Sequence, residues 1–400
     1  MTVQHGQRPP FSGIRVLDVG RHVAGPFCAR LFAHLGADVI KVEPPGRGDP
    51  ARQFGPARPG AARGESGPLH LYVNEGKRGI TLDLSGRSGR ALFQRLVEVS
   101  DVVIENFEPR VMPALGLGHD ALSERRRSLV TTSISSFGES GPYRDYQSSE
   151  LTVFSMGGHV YRSGIEGRPP LRMAGAPAQY LAAISAAYAT AVALRVAEQT
   201  GAGQHVEFSI FESQLTSHAQ AMVEVSYYGA ETGAGSPRGA GMGRGLKASD
   251  GIAMVSAQEQ QMASLAGLVG APPELGRPNP QDAGSGRRAL AEYIQQWAAT
   301  RTKREVYEQG QAAHVPSSYV ASPADLLESP QYRERGFIRE LDHPEAGPVA
   351  VPGLPFQWDG AQAPQRPAPL LGEHNAEVYG ELLGVTREEM VQLAGAGVVS

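Results

Sequence analysis

The hydrophobic pattern changes period repeatedly along the chain. Short apolar runs at Ile14–Val19, Ala37–Val42, Ile80–Leu84, Asp101–Glu105 and Leu129–Ile134 have the length and branching of strands, and segments of helical spacing fall among them. Gly25-Pro26 opens a helix running to about Leu35, because Pro lacks a donor that the first turn could not use. Gly89–Val99 places Leu92, Leu96 and Val97 on one side of another. Alternation of this kind predicts parallel strands joined by right-handed crossovers, hence a doubly wound α/β sheet with ligands outside the carboxyl ends of its strands.

The strongest single signal is the stretch from Met173 to Ser213. Gln179–Leu194 contains no Gly or Pro, is rich in Ala and has few polar positions, so it predicts a helix apolar on nearly every face and enclosed in a layered domain. Its uncharged part is too short and Ala-rich for a bilayer. Gly201 and Gly203 stop it, and His205–Phe211 alternates as a strand does. Gln179 follows Pro177 in the first turn, where unpaired N–H groups and the positive end of the dipole face outward.

Farther on, a helix over Ala219–Tyr228 leads into Gly233–Gly245, where six glycines fall within thirteen residues, as in a linker or a mobile lid. A strand at Asp250–Ala257 and helices at Met262–Val269, Ala289–Ala299 and Arg304–Ala312 predict a smaller α+β unit. A helix at Pro323–Leu327, an irregular Pro-rich passage at Asp342–Pro369 and a helix near Asn375–Leu382 follow, and this tail packs back on the first domain. The expected division is residues 1–220 for the large domain, 221–248 for the linker or lid, 249–320 for the small domain and 321–400 for the returning segment. Pro44–Gly67, rich in Pro, Gly and Arg, is expected to be a surface loop.

Four hundred residues exceed one ordinary core, in agreement with that division. A net charge of −4 and no long basic run argue against nucleic acid. A single cysteine, Cys28, excludes an internal disulfide and a thiolate metal cage. No apolar leader pattern opens the chain, so a cytoplasmic protein with no membrane partner is expected. GxSxG at an elbow and HExxH do not occur, and the eleven His lack metal spacing, so no metal is expected. Arg47, Arg52 and Lys77-Arg78 lie in loops beyond strand ends, where cations meet either phosphates or plain solvent. His22 is either a crevice residue or a simple turn residue.

Several blocks in fixed order carry a resemblance: LDVGRHVAGPFCARLFAHLGADVIKVEPPGRGDPAR, NEGKRGITLDL, DVVIENFEP, SSFGESGPYRD, GAGQHVEFSIFES and APLLGEHNAEV. Together they resemble the family III CoA-transferases, a group similar to formyl-CoA transferase, carnitine CoA-transferase and α-methylacyl-CoA racemase. The resemblance implies a Rossmann-like large domain made from both chain ends, a small domain inserted late, and two chains threaded through one another as an interlocked dimer. It implies CoA thioesters and small carboxylic acids as substrates and no tightly bound cofactor. It also implies a carboxylate that attacks the thioester and passes through enzyme-bound anhydride and thioester intermediates.

Matched to the family's helix start, Gln179 stands where the nucleophilic Asp is expected. The racemases draw a His from the segment matching Gln147–Ser149, and none is present, which disfavours racemisation. A family active-site Gln falls on Val23, and basic CoA contacts fall on Pro44, Ser85, Ala114 and Gln147. Leu82, Asn106, Phe107 and the acid Glu150 are retained, while Arg47, Lys77, Arg78 and Arg110 are neighbouring cations for CoA phosphates. Two readings follow. In one, an acyl-CoA enzyme uses Glu150, His22 and Gln179, with Glu150 as nucleophile or base and the Gln179 amide on the thioester oxygen, under a lid at Gly239–Gly245. In the other, a CoA-binding subunit supports an active paralogue in a heteromer. An isomerase or lyase on the same scaffold is a further alternative. Glu150 as a surface or N-cap carboxylate, and Gln179 as a cap for its own helix, are the structural alternatives.

Overall fold

The computed structural model describes residues 8–161, 163, 169–217, 219–229, 245–277, 283–357 and 366–400. The expected lid at Gly239–Gly245 lies outside the described residues except for Gly245. Two compact units are present, Met1–Ala234 with Gly336–Ser400 and Gly235–Arg335.

The larger unit is built on six parallel strands, β1 (Arg15–Asp18), β2 (Asp38–Glu43), β3 (Arg78–Thr81), β4 (Val102–Glu105), β5 (Val130–Ser135) and β6 (His205–Ser209). Their order is β3-β2-β1-β4-β5-β6. The direction of winding reverses between β1 and β4, so the loops after those strands splay apart and leave a crevice at their carboxyl ends.

Successive residues of each strand enter different cores, as the pleat requires. Val16, Val39, Val102 and Val130 pack with Phe27 and Phe32 of α1 (Ala24–His34), whereas Leu17, Ile40, Ile80 and Val103 pack with Leu92, Phe93 and Leu96 of α2 (Arg87–Glu98). Burial on both faces explains why the central strands read as continuous apolar runs.

The Ala-rich segment forms α4 (Pro177–Thr200), which follows the short α3 (Glu150–Met156) and ends at Gly201 with φ 71°. Ala178, Ala182, Ala186, Ala193 and Ala197 are buried in the core shared with α1, and Thr190 exchanges a 2.7 Å hydroxyl hydrogen bond with Thr132 of β5. Small side chains let the helix lie close to the sheet. By length and composition alone α4 would also cross a membrane, with a mean hydropathy of 1.5. Its packing into the core of this unit accounts for that apolarity.

Enclosure on every face is not observed. Ile184, Tyr188 and Val192 form a stripe at i, i+4 and i+8 that is 53%, 74% and 48% exposed in the single chain. The sequence pattern records apolar positions without saying which neighbour, in the same chain or another, covers them. After β6 the chain continues into α5 (Ile210–Thr216) and α6 (Ala219–Tyr228).

The smaller unit holds a three-stranded antiparallel sheet of β7 (Leu246–Lys247), β8 (Ile252–Val255) and β9 (Ser317–Tyr319). Its core joins Leu265 and Val269 of α7 (Met262–Val269), Leu290, Ile294 and Trp297 of α8 (Ala283–Ala299), and Val306 of α9 (Lys303–Ala312). Lys303 pairs with Asp325 at 2.5 Å, which ties the Pro323–Leu327 helix to this unit.

Two regions differ from the sequence expectation. The passage Asp342–Pro369 is not wholly irregular, because β10 (Ile338–His343) and β11 (Gly347–Pro352) form an antiparallel hairpin in the larger unit. Pro352 ends β11 and Pro348 is its second residue, so neither interrupts the middle of the ladder. Pro44–Gly67 is likewise not a plain surface loop. Arg52 within it is 3% exposed and donates to Glu43 at 2.8 and 2.7 Å, while its other terminal nitrogen pairs with Glu65 at 2.7 Å. Charge pairing, invisible to a periodicity reading, draws this segment inward.

The C-terminal segment closes the free edge of β3. Thr81 donates its N–H to Asn375 Oδ1 at 2.8 Å, and the Tyr379 hydroxyl donates to the Thr81 carbonyl at 2.8 Å from α10 (Asn375–Leu383). A further helix, α11 (Arg387–Gly395), follows it and was not expected from the pattern.

Candidate active site

The crevice begins with the turn after β1. Asp18 Oδ1 accepts the Gly20 N–H at 2.9 Å, and Asp18 Oδ2 is paired with Lys77 at 2.7 Å. A Cβ at Gly20 would lie 2.9 Å from Gly25 Cα and 3.0 Å from Asn106 Oδ1, so only glycine allows the turn to close against the end of β4. Asn106 clasps Arg21 from both sides, accepting its N–H at 2.6 Å and donating to its carbonyl at 2.9 Å. The Arg21 guanidinium lies 4.7 Å from the centroid of the Phe107 ring. His22 sits in the left-handed region, φ 58°, with its N–H held by Asp49 Oδ1 at 3.0 Å.

The opposite part of the site is made where α3 and α4 begin. Ser149 and Thr152 cap α3 reciprocally, which fixes Glu150 as its first residue. Glu150 Oε1 then accepts the Ala178 N–H of α4 at 2.8 Å, and the Gln179 side-chain nitrogen approaches Oε2 at 3.5 Å. Gln179 makes no cap on its own helix. Glu150 does that work from outside, so one residue has both the capping role and a place in the site.

A cleft of about 640 Å³ brings together His22, Asn106, Phe107, Arg110, Glu150 and Gln179. A smaller one, about 250 Å³, is lined by Arg47, Leu82 and Phe107. Phe107 borders both.

The cations sort by burial. Arg47 is exposed. Arg110 is also exposed but is held by both oxygens of Asp145, one of them at 2.7 Å. Lys77 corrects the sequence expectation: it is 1% exposed and its three donors go to Asp18, the Pro26 carbonyl and Asn74. Burial pushes its pKa down to about 8, against the opposing pull of Asp18. Arg78 is a correction too. It opens β3, at the amino end of the sheet, and is spent on Asp38 and Glu377 at 2.6 and 2.9 Å. Both cations are structural.

Sequence reasoning missed several residues of the crevice. Arg144 and Ser135 line the larger cleft, and the carboxyl of Glu105 accepts the Phe107 N–H at 2.7 Å from beneath the loop. Burial pushes Glu105 up to about 7. A lone carboxylate at the end of an apolar strand gave no pattern to read. Cys28 is fully buried, and that burial raises its thiol far above the ordinary range, which removes it as a nucleophile. Among the described residues no group of three or more His, Cys, Asp or Glu could hold a metal ion.

Residues 11–375 match the model of CoA-transferase family III. The chain belongs to this family. This family III chain is 32% identical to a succinyl-CoA–D-citramalate CoA-transferase of Chloroflexus aurantiacus, over 98% of this chain and 99% of the other. It is 30% identical to the alpha subunit of a succinyl-CoA–L-malate CoA-transferase of the same organism, over 98% of this chain and 92% of the other. Its fold matches a CaiB/BaiF family protein from Brucella suis with a TM-score of 0.84 and 28% identity, covering 94% and 100% of the two chains. It is therefore an enzyme of the family III CoA-transferase type.

Proposed function

We propose that this chain moves coenzyme A between a CoA thioester and a small carboxylic acid in the cleft that holds Glu150 and Gln179, with Glu150 supplying the attacking carboxylate. The observation that carries this reading is the pairing of Glu150 with the first turn of α4. On this reading the first turn of α4 is where the family's nucleophilic Asp belongs, and Gln179 stands there instead. A neutral carboxamide is a poor nucleophile, whereas Glu150 brings a carboxylate oxygen within 3.5 Å of it.

A Glu150 oxygen adds to the thioester carbonyl and expels the CoA thiolate, leaving a mixed anhydride. The thiolate attacks the Glu150 carbonyl, releases the first acid as carboxylate and forms a glutamyl thioester. The acceptor carboxylate attacks that thioester, giving a second anhydride and free thiolate, which takes the new acyl group and restores Glu150. The Gln179 amide is the nearby donor for the oxyanion formed at each addition. His22 enters as a wall residue of the cleft, and no step requires its proton. The cleft lined by Arg47 and Leu82 supports binding of the nucleotide end of CoA, since Phe107 joins it to the reacting cleft.

A second reading is favoured by the same carboxamide: a subunit that binds CoA and supports an active paralogue. Relatives named as alpha and beta subunits of one CoA-transferase lend it weight. In either case the exposed stripe of Ile184, Tyr188 and Val192 suits burial against another chain, as an interlocked dimer would provide. The test is peptide mapping after incubation with an acyl-CoA and hydroxylamine. A hydroxamate on Glu150 is expected. A modification on another carboxylate sinks the Glu150 assignment, and none at all, with normal CoA binding, favours the supporting subunit.

A further inference from the structure

Among the described residues only two other than glycine have a left-handed backbone, His22 with φ 58° and His314 with φ 57°. His314 lies just past the carboxyl end of α9, where a residue of this conformation commonly stops a helix. His22 ends no helix. It stands between β1 and α1 on the wall of the larger cleft, and a side chain in that region of backbone space persists only where its surroundings hold it.

Each residue of the turn is gripped through its backbone from a different element. Lys41 Nζ donates to the Gly20 carbonyl, Asn106 takes both the N–H and the carbonyl of Arg21, and Asp49 Oδ1 accepts the His22 N–H at 3.0 Å. The Asp49 carboxylate is itself fixed, since Oδ1 also accepts the Ala51 N–H at 2.8 Å and Oδ2 pairs with Lys41 at 2.9 Å. Asp49 and Lys41 are 1% and 0% exposed. Asp49 borders the smaller cleft while His22 borders the larger, so this one carboxylate connects the two. The His22 ring, by contrast, is exposed, and the residue's one hydrogen bond among the described residues is made by its backbone N–H. A backbone fixed in a costly conformation with its ring left free is suited to presenting that ring to a ligand.

We infer that Asp49, braced by Lys41, is a positioning residue that holds His22 in the left-handed region, and that the imidazole presented in this way is a contact for the acyl-thioester end of bound acyl-CoA. A thioester offers only acceptors, so the imidazole contributes an N–H and no proton moves. This rests on the reading of the larger cleft as the thioester site.

The experiment is calorimetric titration of wild type, His22→Gly, Asp49→Asn and the double variant with CoA and acetyl-CoA, beside their denaturant midpoints. Glycine adopts φ 58° without strain, so His22→Gly is expected to match or exceed the wild-type midpoint. It is nevertheless expected to bind acetyl-CoA about tenfold more weakly, the scale of one hydrogen bond, with CoA unchanged. Asp49→Asn keeps an oxygen for the N–H but loses the charge facing Lys41, so it weakens acetyl-CoA by a smaller factor. It adds nothing in the His22→Gly background, because it acts through the ring. Asp49→Ser, which also retains an acceptor, takes its place if the Asn variant does not fold. Unchanged acetyl-CoA binding by His22→Gly, or equal weakening of both ligands, overturns the contact. Equal weakening by Asp49→Asn with and without the ring overturns the positioning role and makes Asp49 a residue of the smaller cleft alone. Wild type that binds neither ligand overturns the thioester reading, and this inference with it.

Discussion

Gln179 and Glu150 lie on different helices, yet the Gln179 amide nitrogen is 3.5 Å from Glu150 Oε2, and the neighbouring Ala178 N–H binds the other oxygen at 2.8 Å. The carboxylate is thus anchored by one oxygen to the helix start while the other faces a weak, long contact beside the cleft. An acid held in this way is positioned for chemistry and also stabilises α4, and substitutions can separate the two.

Glu150→Ala removes both the acceptor and the negative charge at the N-terminus of α4, and a loss of about 1 kcal/mol of stability is expected. Glu150→Gln keeps an oxygen for the Ala178 N–H and is expected to cost less than half as much. Denaturant melts of the two variants check this, and equal losses would show that the oxygen contact does not matter.

The cations should divide the same way. Lys77→Met leaves Asp18 short of its closest partner inside the protein, with a loss of roughly 3 kcal/mol. Arg47→Ala, at an exposed wall of the smaller cleft, is expected to leave stability unchanged and to weaken CoA binding by about tenfold. Thermal melts and CoA titrations of both variants decide, and the reverse pattern would reassign the two residues.

Glu105 gives a pH dependence with a definite sign. Its carboxyl accepts from Phe107 and Ser133, with Glu139 as the nearby like charge, and burial raises it from 4.5 to about 7. Between those values the folded chain holds a proton that the unfolded chain has lost, so stability falls as pH rises through that window, by up to about 3 kcal/mol. Glu105→Gln removes the penalty. The variant should be more stable than wild type at pH 8 and equal to it at pH 4, and a difference independent of pH would refute the assignment.

The exposed stripe of α4 makes a prediction about assembly. Tyr188→Glu places a charge at its most exposed apolar position, 74% accessible in the single chain. If another chain covers that face, sedimentation should show a dimer for wild type and a smaller species for the variant. An identical monomeric mass for both would remove the argument for a partner there.

The alternating strands, the end of α4 at Gly201 and the role of Pro177 as its first residue were legible because each rests on local rules of period, turn and missing donor. The same rules placed Gln179 in a first turn. They failed where the cause lies far along the chain. Arg52 looked like loop charge until Glu43 and Glu65 claimed it, and Lys77 looked like a phosphate ligand until Asp18, the Pro26 carbonyl and Asn74 surrounded it. The Pro-rich tail concealed a hairpin because its proline residues mark strand ends. Arg144 and Ser135 were not legible at all, since nothing in their local pattern marks them as residues of the larger cleft.

The central claim is that Glu150, beside Gln179 at the start of α4, carries the acyl group. The most direct measurement is isotope exchange between a labelled carboxylic acid and its CoA thioester, compared for wild type and Glu150→Gln at matched stability and CoA affinity. Sustained exchange by wild type and background exchange by the variant is the predicted result, and exchange at the wild-type rate in Glu150→Gln would contradict it.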